Sequence, residues 1–356
     1  MHLKWHQPRI FQPLTWPVIG AAVLPAAALF ALAWLYGGRL ISKPVTGEEI
    51  KVAVIQGNIE QERKWNPRHR DSIMRTYTDL SGSGSVERPA LIVWPETATP
   101  DSITRDPRLL AQVKRLAKET GAYLVLGSSH NQKFMKNKSG QLNYLNSAFV
   151  VSPNGETPLL QQYDKIRLLP FGEYLPFKGI IPWSLIGVYE LSTYTPGAKV
   201  TILEVPPFRF GVTICWENIF PDLVRQFVKN GAQFIVNITN EAWFGKTAAP
   251  YQFLSMSVFR AVENQVYVVR CANTGVSCFI DPHGRITHRV SDQSGGDIFV
   301  RGSLTSSVVP LQSRTIYTRY GDWFSPLCFL YCVVVLFCTF IRKSAARSLS
   351  EDSLHM

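Results

Sequence analysis

The chain of 356 residues contains six cysteines, and no two of them form a Cys-x-x-Cys pair. Three of the six, Cys328, Cys332 and Cys338, lie in an apolar stretch near the C-terminus. Thiols scattered in this way provide neither a disulfide framework nor the ligand spacing of a structural zinc site. The sequence therefore predicts no metal centre built on cysteine.

Runs of lysine and arginine interleaved with aromatic residues are also missing, although the net charge is +11. Because the positive charge is diffuse, no groove for nucleic acid is predicted and no nucleic-acid partner is expected. Contact with anionic lipid explains a basic protein equally well. With 46% hydrophobic and 18% charged residues, the chain can bury a large core and is not a disordered protein.

Charge is absent from two long apolar runs, Trp16–Tyr36 and Trp323–Ile341. Each is long enough to cross a hydrocarbon core of roughly 30 Å. A cleaved signal peptide is the alternative for the first run, but no clear small-x-small cleavage site follows it. A buried helix is the alternative for the second run, whose basic flank favours a membrane span. We expect residues 1–45 to form a tail, anchor and linker, and residues 316–356 to form a transmembrane helix with a basic cytoplasmic tail.

The charges beside the two runs bear on orientation. Arg342, Lys343 and Arg347 follow the second run and place the C-terminus in the cytoplasm. The N-terminal flanks carry similar positive charge on both sides and leave the first run undecided. Two spans put both termini on one side of the membrane, so residues 46–315 are expected on the other side.

Strands and helices mostly alternate between the two runs, which predicts a layered α/β domain with largely buried sheets. Residues able to do chemistry stand where predicted strands end: Glu96, Lys165 and Cys215. Cys215 follows the strand Phe210–Ile214 and precedes the predicted helix Asp222–Val228, whose dipole is expected to favour the thiolate. The alternative is a small core cysteine.

The other two residues have similar competing interpretations. Glu96 follows a buried strand, where burial is expected to raise its pKa and suit it to act as a general base. Lys165 can stabilise a thiolate and then an oxyanion, with the main-chain N–H of Trp216 as a second donor. Taken singly, Glu96 is equally a carboxylate at a helix start and Lys165 a surface charge.

Several longer motifs between Val52 and Trp323 carry a resemblance. The chain resembles the nitrilase (carbon–nitrogen hydrolase) superfamily and, within it, the bacterial apolipoprotein N-acyltransferases. The matching segments are Gln56–Ile59 with Trp65, Trp94–Glu96, Tyr163–Lys165, Leu169–Pro176, Cys215–Glu217, Asn240–Gly245, Arg260–Asn264, Ala272–Gly275 and Gly321–Trp323. The resemblance implies a nitrilase-like four-layer αββα sandwich flanked by transmembrane helices, and no metal or organic cofactor.

The same resemblance implies the roles of the site residues. Cys215 is the nucleophile, Glu96 the base and Lys165 the oxyanion donor of a Glu-Lys-Cys triad. Glu173 supports the lysine and the base, and Glu217 positions the loop of the nucleophile. Trp65 lies near the substrate, although an aromatic residue that packs a loop is the alternative.

The reaction implied is a two-step transfer through a cysteine thioester. The acyl donor is the sn-1 ester of a phospholipid, and the acceptor is the amino group of the diacylglyceryl-cysteine that begins an apolipoprotein. The expected location is the bacterial inner membrane with the catalytic domain in the periplasm. The alternatives are a membrane-tethered amidase, a paralogue associated with conjugation or secretion, and an inactive scaffold.

Two features of the sequence modify this interpretation. The acyltransferases usually carry several more membrane helices before the hydrolase domain, and this sequence has room for one. The chain is thus interpreted as a short form, with a membrane-protein partner as a potential source of further helices. In addition, the apolar stretch Leu175–Tyr194, which includes Trp183 and Ile186, is interpreted as a lid that faces lipid, with plain core as the alternative.

Overall fold

A computed structural model describes residues 16–136, 142–155, 160–177, 180–181, 183–186, 194–312 and 315–352. The chain divides into two units, Met1–Thr46 and Gly47–Met356. The described part of the first unit is mainly one long helix, α1 (Trp16–Ile41). Its segment Val23–Ile41 is apolar and long enough to cross a membrane, and none of this segment is buried.

The second unit contains the strands and the remaining helices. The strands are β1 (Ile50–Gln56), β2 (Leu91–Val93), β3 (Tyr123–Lys136), β4 (Leu142–Val151), β5 (Leu160–Asp164), β6 (Ile202–Val205), β7 (Phe208–Ile214), β8 (Phe234–Thr239), β9 (Tyr267–Ala272), β10 (Cys278–Ile280), β11 (Ile286–Arg289) and β12 (Gly302–Val308). The helices are α2 (Gln61–Lys64), α3 (Arg70–Gly84), α4 (Pro107–Thr120), α5 (Pro221–Lys229), α6 (Ala249–Asn264), α7 (Ile316–Tyr320) and α8 (Phe324–Asp352).

The strands form two six-stranded sheets, in the orders β12-β1-β2-β3-β4-β5 and β11-β10-β9-β8-β7-β6. The centre of the first sheet is parallel, because β2 pairs in parallel with both β1 and β3. The second sheet repeats this design, with β8 parallel to both β7 and β9. Parallel strands of this kind are buried on both faces, which explains the near-continuous apolar runs of their sequences.

Alternation along β1 shows how the layers pack. Val52 and Val54 belong to a core that also holds Phe210 and Val212 of the second sheet. Ala53 and Ile55 point to the opposite face and join a second core beneath α3 and α4. Helices α5 and α6 cover the outer face of the second sheet, where Leu223 and Phe227 are buried. The expected four-layer αββα sandwich is confirmed.

The helix that follows the domain extends the second predicted span. Residues Phe324–Ile341 of α8 are apolar and long enough to cross a membrane, and none of this segment is buried. The helix itself continues to Asp352. Both helices are consistent with an α/β domain flanked by transmembrane segments.

Some strands carry no clear sequence signal. Strand β12 consists of Gly302-Ser-Leu-Thr-Ser-Ser-Val308 and is largely half-buried, while β11 is exposed along its whole length. Neither has the apolar run or the strict alternation that predicts a strand. The polar segment rich in serine and glycine at the end of α3 is helical to Gly84, and a 3-10 helix, Ser85–Glu87, follows it.

Candidate active site

Three residues follow the ends of strands from both sheets. Glu96 stands three residues after β2, Lys165 directly after β5 and Cys215 directly after β7. All three side chains are buried in the folded domain. Strand ends fix the main chain on one side, so each functional group starts from a rigid position.

Lys165 lies between two carboxylates. Its Nζ is 3.2 Å from Oε1 of Glu96 and 2.9 Å from Oε1 of Glu173. Burial alone would lower the pKa of Lys165, but the charges of Glu96, Cys215 and Glu173 outweigh burial and raise this pKa. Lys165 is therefore a permanent cation in the centre of the site.

Glu96 is surrounded by donors. Its Oε1 accepts a hydrogen bond from Asn146 Nδ2 at 2.7 Å, and its Oε2 accepts one from the main-chain N–H of Asn240 at 2.8 Å. Burial raises the pKa of the Glu96 carboxyl, but Lys165, Asn146, Lys64 and Asn240 together hold it below its usual value. The expectation of a raised pKa was wrong because these donors and cations outweigh burial. The carboxylate is ionised at neutral pH and can accept a proton.

Cys215 begins the 3-10 helix Cys215–Ile219 and has a left-handed φ of 58°. Asn237 donates from Nδ2 to its main-chain oxygen at 3.1 Å. Burial raises the pKa of the Cys215 thiol to about 12, with a further contribution from Glu96 and opposition from Lys165. The expectation of a favoured thiolate was therefore wrong, since burial and the neighbouring carboxylate dominate. At neutral pH the residue is a neutral thiol near the ionised carboxylate of Glu96.

Glu173 is held by its own loop and by Asn146. Its Oε2 accepts a hydrogen bond from the main-chain N–H of Leu169 at 2.7 Å. Its Oε1, which contacts Lys165, also accepts from Asn146 Nδ2 at 3.0 Å. One amide group therefore connects Glu96 and Glu173, and the lysine connects them a second time.

Glu217 ties the strand end at Lys165 to the strand end at Cys215. Its Oε1 accepts from the main-chain N–H groups of Ile166 at 2.7 Å and Arg167 at 3.0 Å, and its Oε2 from that of Ile214 at 2.8 Å. The hydroxyl of Tyr163 donates to the same carboxylate at 2.9 Å. Burial raises the pKa of Glu217 to about 7, although these main-chain donors oppose the rise. The side chain fixes the segments that carry the lysine and the cysteine.

The two tryptophans lie outside this hydrogen-bonded cluster. Trp216 is half-buried, and its indole N–H donates to the main-chain oxygen of Arg167 at 2.6 Å. Trp65 follows α2 and is 50% exposed. Within the described part of the chain, no hydrogen bond joins either indole to Glu96, Lys165 or Glu173. Trp65 is available to a molecule from outside, as a substrate contact requires.

Several polar residues that build the site had no role predicted from the sequence. Asn146 in β4, Asn237 in β8 and Arg270 in β9 are polar side chains within apolar strands, and all three are buried. A buried polar group in such a strand requires a partner, so this pattern could have indicated them. Lys64 carried no such signal, because a lysine in the polar segment before Trp65 resembles any surface lysine.

Among the described residues, no group of three or more histidine, cysteine, aspartate and glutamate side chains is arranged to hold a metal ion. The side chains of the site supply an ionised carboxylate, a permanent ammonium and a thiol. Together these can transfer a proton, stabilise an oxyanion and form a covalent bond.

The apolar stretch Leu175–Tyr194 lies partly outside the described residues. Among its described side chains, Phe177, Ile180 and Leu185 are 69%, 82% and 81% exposed, whereas Leu175 is buried. Trp183 donates from its indole N–H to the main-chain oxygen of Pro176 at 2.7 Å, and the N–H of Tyr194 donates to the main-chain oxygen of Glu173 at 3.1 Å. The stretch is thus anchored beside Glu173, and its role as a lid stays a prediction.

Comparison with known proteins agrees with the fold. The chain belongs to the carbon-nitrogen hydrolase family, which matches residues 51–302. In solved structures, a nitrilase superfamily member from Saccharomyces cerevisiae has a TM-score of 0.55 and 21% identity, covering 76% of this chain and 93% of its own. A variant of the Nesterenkonia AN1 amidase has a TM-score of 0.55 and 18% identity, covering 81% of this chain and 98% of its own. At these identities the likeness shows the fold.

The sequence relatives are more specific. The apolipoprotein N-acyltransferase of Geobacter metallireducens is 39% identical over 334 residues, which are 94% of this chain and 61% of that protein. Its counterpart from Azotobacter vinelandii is 33% identical over 337 residues, which are 92% of this chain and 61% of the relative. The chain thus spans about three-fifths of the length of these relatives, in agreement with the resemblance seen in the sequence motifs.

Proposed function

We propose that the chain is a membrane-anchored acyltransferase that moves a fatty acyl group from a phospholipid to the N-terminal amino group of a diacylglyceryl-apolipoprotein. The observation that carries the proposal is the buried Glu96–Lys165–Glu173 cluster beside Cys215, in a domain with an apolar helix after it. The relatives that bear the name apolipoprotein N-acyltransferase support this reaction.

In the first step, Sγ of Cys215 attacks the ester carbonyl carbon while Glu96 accepts the thiol proton. A thiol with a pKa near 12 has to lose its proton during the attack, so an ionised carboxylate next to it is the required base. Lys165 Nζ donates to the oxyanion, as does the main-chain N–H of Trp216, which has no partner within the first turn of its helix.

The intermediate then collapses. The ester C–O bond breaks, Glu96 returns its proton to the leaving alcohol, and a lysophospholipid departs from the Cys215 thioester. In the second step the acceptor amine attacks the thioester carbonyl carbon and Glu96 takes a proton from the amine. The C–S bond breaks, an amide forms, and Cys215 regains its proton.

Glu173 and Glu217 hold the reacting residues in place. Glu173 holds Lys165 against the base, and Glu217 fixes the main chain on both sides of the reacting groups. Trp65 contacts the substrate from its exposed position at the end of α2. The exposed side chains of Phe171 (54%) and Phe177 (69%), close to Glu173 in the sequence, favour entry of an apolar acyl chain beside that residue.

The proposed location is the bacterial inner membrane, with the domain on the periplasmic side. The charge-free segment of α8 and the basic residues Arg342 and Lys343 after it support this orientation. A reporter enzyme that is active only in the cytoplasm, fused after the last residue, is expected to be active. Activity of a reporter that works only in the periplasm would instead indicate the opposite orientation.

The test of the reaction is the intact mass of the purified full chain after incubation with phosphatidylethanolamine in detergent. We expect one acyl adduct, removed by hydroxylamine, on the wild type and none on Cys215→Ala. A diacylglyceryl-cysteine peptide with a free amino group is expected to discharge the adduct, whereas its N-acetylated form is not. Absence of the adduct on a folded wild-type chain would contradict the proposal.

Hydrolysis of amides is the second candidate, because a solved structure with the same fold is an amidase. In that case water, not an amine, resolves the acyl-enzyme and a small amide is the substrate. Release of free fatty acid at the same rate with and without the acceptor peptide, or turnover of small amides in place of phospholipid, would favour the amidase.

A further inference from the structure

Lys64 is an unusual lysine because it is only 2% exposed. It is the last residue of α2, and its Nζ donates a hydrogen bond to the main-chain oxygen of Glu96 at 3.0 Å. Lysine is almost never fully buried without a partner, since removing an ammonium group from water is costly. The neutral carbonyl of Glu96 is only part of the compensation this charge requires.

The ionisable groups acting on Lys64 belong to the reaction centre. Burial lowers the pKa of Lys64 to about 8, and the charges of Glu96 and Cys215 oppose this fall. Conversely, Lys64 is one of the groups that hold the pKa of Glu96 below its usual value. The ammonium of Lys64 and the carboxylate of Glu96 therefore stabilise each other in the ionised form.

The balance of charge gives Lys64 a function. Lys165 contacts two carboxylates, those of Glu96 and Glu173, so a single ammonium faces two acids in a buried site. An uncompensated charge in such a place is strongly destabilising. Lys64 provides the second positive charge, and it approaches Glu96 from α2 whereas Lys165 approaches from the end of β5.

The segment that carries Lys64 is tied to the same residue that holds the base. Gln61, the first residue of α2, accepts a hydrogen bond at Oε1 from Asn240 Nδ2 at 2.9 Å. The main-chain N–H of Asn240 donates to Oε2 of Glu96. Both ends of this short helix are therefore connected to Glu96.

From this geometry we infer that Lys64 is a positioning residue, a second buried cation that holds the main chain of Glu96 and keeps its carboxylate ionised for proton transfer from Cys215. The inference rests on the proposed role of Glu96 as the base. Because Lys64 adds a positive charge near Cys215, it also favours the thiolate over the thiol when that proton is lost.

Three substitutions separate the charge of Lys64 from its hydrogen bond. Lys64→Met removes both, Lys64→Gln keeps a donor for the carbonyl, and Lys64→Arg keeps the charge. The exposed Lys118→Met on α4 is the matched control. The readouts on the full chain are the rate of Cys215 alkylation by iodoacetamide at pH 7, measured on the Cys215 peptide, and the pH profile of acylation by phosphatidylethanolamine.

We expect Lys64→Met and Lys64→Gln to slow alkylation about tenfold, the factor that corresponds to a one-unit rise in the pKa of the thiol. The acid limb of their acylation profiles moves about one pH unit upward, while Lys64→Arg and Lys118→Met keep the wild-type limb. A wild-type rate for Lys64→Gln, or slower variants with an unmoved acid limb, would overturn the inference.

The two readouts also separate this inference from the proposed function. Alkylation needs no lipid, so a slower rate in Lys64→Gln stands even where the wild-type chain forms no acyl adduct. In that case the proposed acyl donor is wrong, whereas the proposed role of Lys64 still holds. Thermal unfolding of each variant identifies any that fails to fold, and Lys64→Gln, which keeps a donor without the charge, remains the deciding variant.

Discussion

Asn237 donates a hydrogen bond from Nδ2 to the main-chain oxygen of Cys215, at a distance of 3.1 Å. On its other side, Oδ1 of Asn237 accepts a hydrogen bond from the buried guanidinium of Arg270 at 2.7 Å. Cys215 has a left-handed φ of 58°, a conformation that costs an ordinary residue about 1 kcal/mol or more. The asparagine thus holds the proposed nucleophile in a conformation it would not adopt freely.

Replacing Asn237 with alanine is therefore expected to affect both stability and reactivity. The substitution removes one buried hydrogen-bond partner from the Arg270 guanidinium and one from the Cys215 carbonyl, which lowers the free energy of unfolding by about 1–3 kcal/mol. We also expect acylation of Cys215 to slow about tenfold or more, because a nucleophile displaced by a fraction of an ångström loses reactivity. Denaturant unfolding and intact mass measure the two effects.

The control for this change is Asn230→Ala, at the exposed C-terminal end of α5. Its effect on the free energy of unfolding is expected to stay within about 0.5 kcal/mol, as for most surface substitutions. Equal losses in the two variants would contradict a role for Asn237 in holding Cys215.

Asn146 provides the second prediction, because its amide contacts both Glu96 and Glu173. This donor is one of the groups that hold the pKa of Glu96 low, so Asn146→Ala is expected to raise that pKa. Glu96, the proposed base, is then protonated at a higher pH, and the acid limb of the acylation profile moves upward by about one pH unit. Asn154→Ala, in an exposed turn, is expected to leave the limb in place.

The third prediction concerns the ionisation of Cys215 itself. Burial and the charge of Glu96 raise the pKa of its thiol to about 12, so the thiolate fraction is small at neutral pH and grows with pH. We expect alkylation of the Cys215 peptide by iodoacetamide to keep rising up to pH 11. A plateau between pH 6 and 8 would mean a stabilised thiolate, which is the expectation drawn from sequence.

The places where strands end could be predicted from the sequence. Apolar runs stop shortly before Glu96 and directly before Cys215, and the structure has β2 and β7 ending at those points. Local pattern is sufficient here, because a buried strand is an apolar run and its end is a change of composition. The longer motifs between Val52 and Trp323 then indicated the family to which the chain belongs.

The ionisation states were not predictable in the same way. The pKa of Glu96 depends on Asn146 and Asn240, which are 50 and 144 residues away along the chain. The pKa of Cys215 depends on burial and on Glu96, which only the packed sheets bring near. Sequence identifies the titratable groups, whereas their protonation follows from long-range contacts.

Gly127 gives the last prediction, since β3 passes very close to the segment that carries Glu96. A Cβ at Gly127 would lie 2.6 Å from the Cα of Glu96 and 2.4 Å from the main-chain nitrogen of Thr97. Gly127→Ala is therefore expected to displace Glu96, lower the free energy of unfolding by about 1–3 kcal/mol and slow acylation of Cys215. In Gly82→Ala the new Cβ on α3 meets no atom within 4 Å, so stability is expected to rise by up to about 1 kcal/mol without a change in rate. Full acylation activity in Gly127→Ala would show that the site tolerates movement of its base.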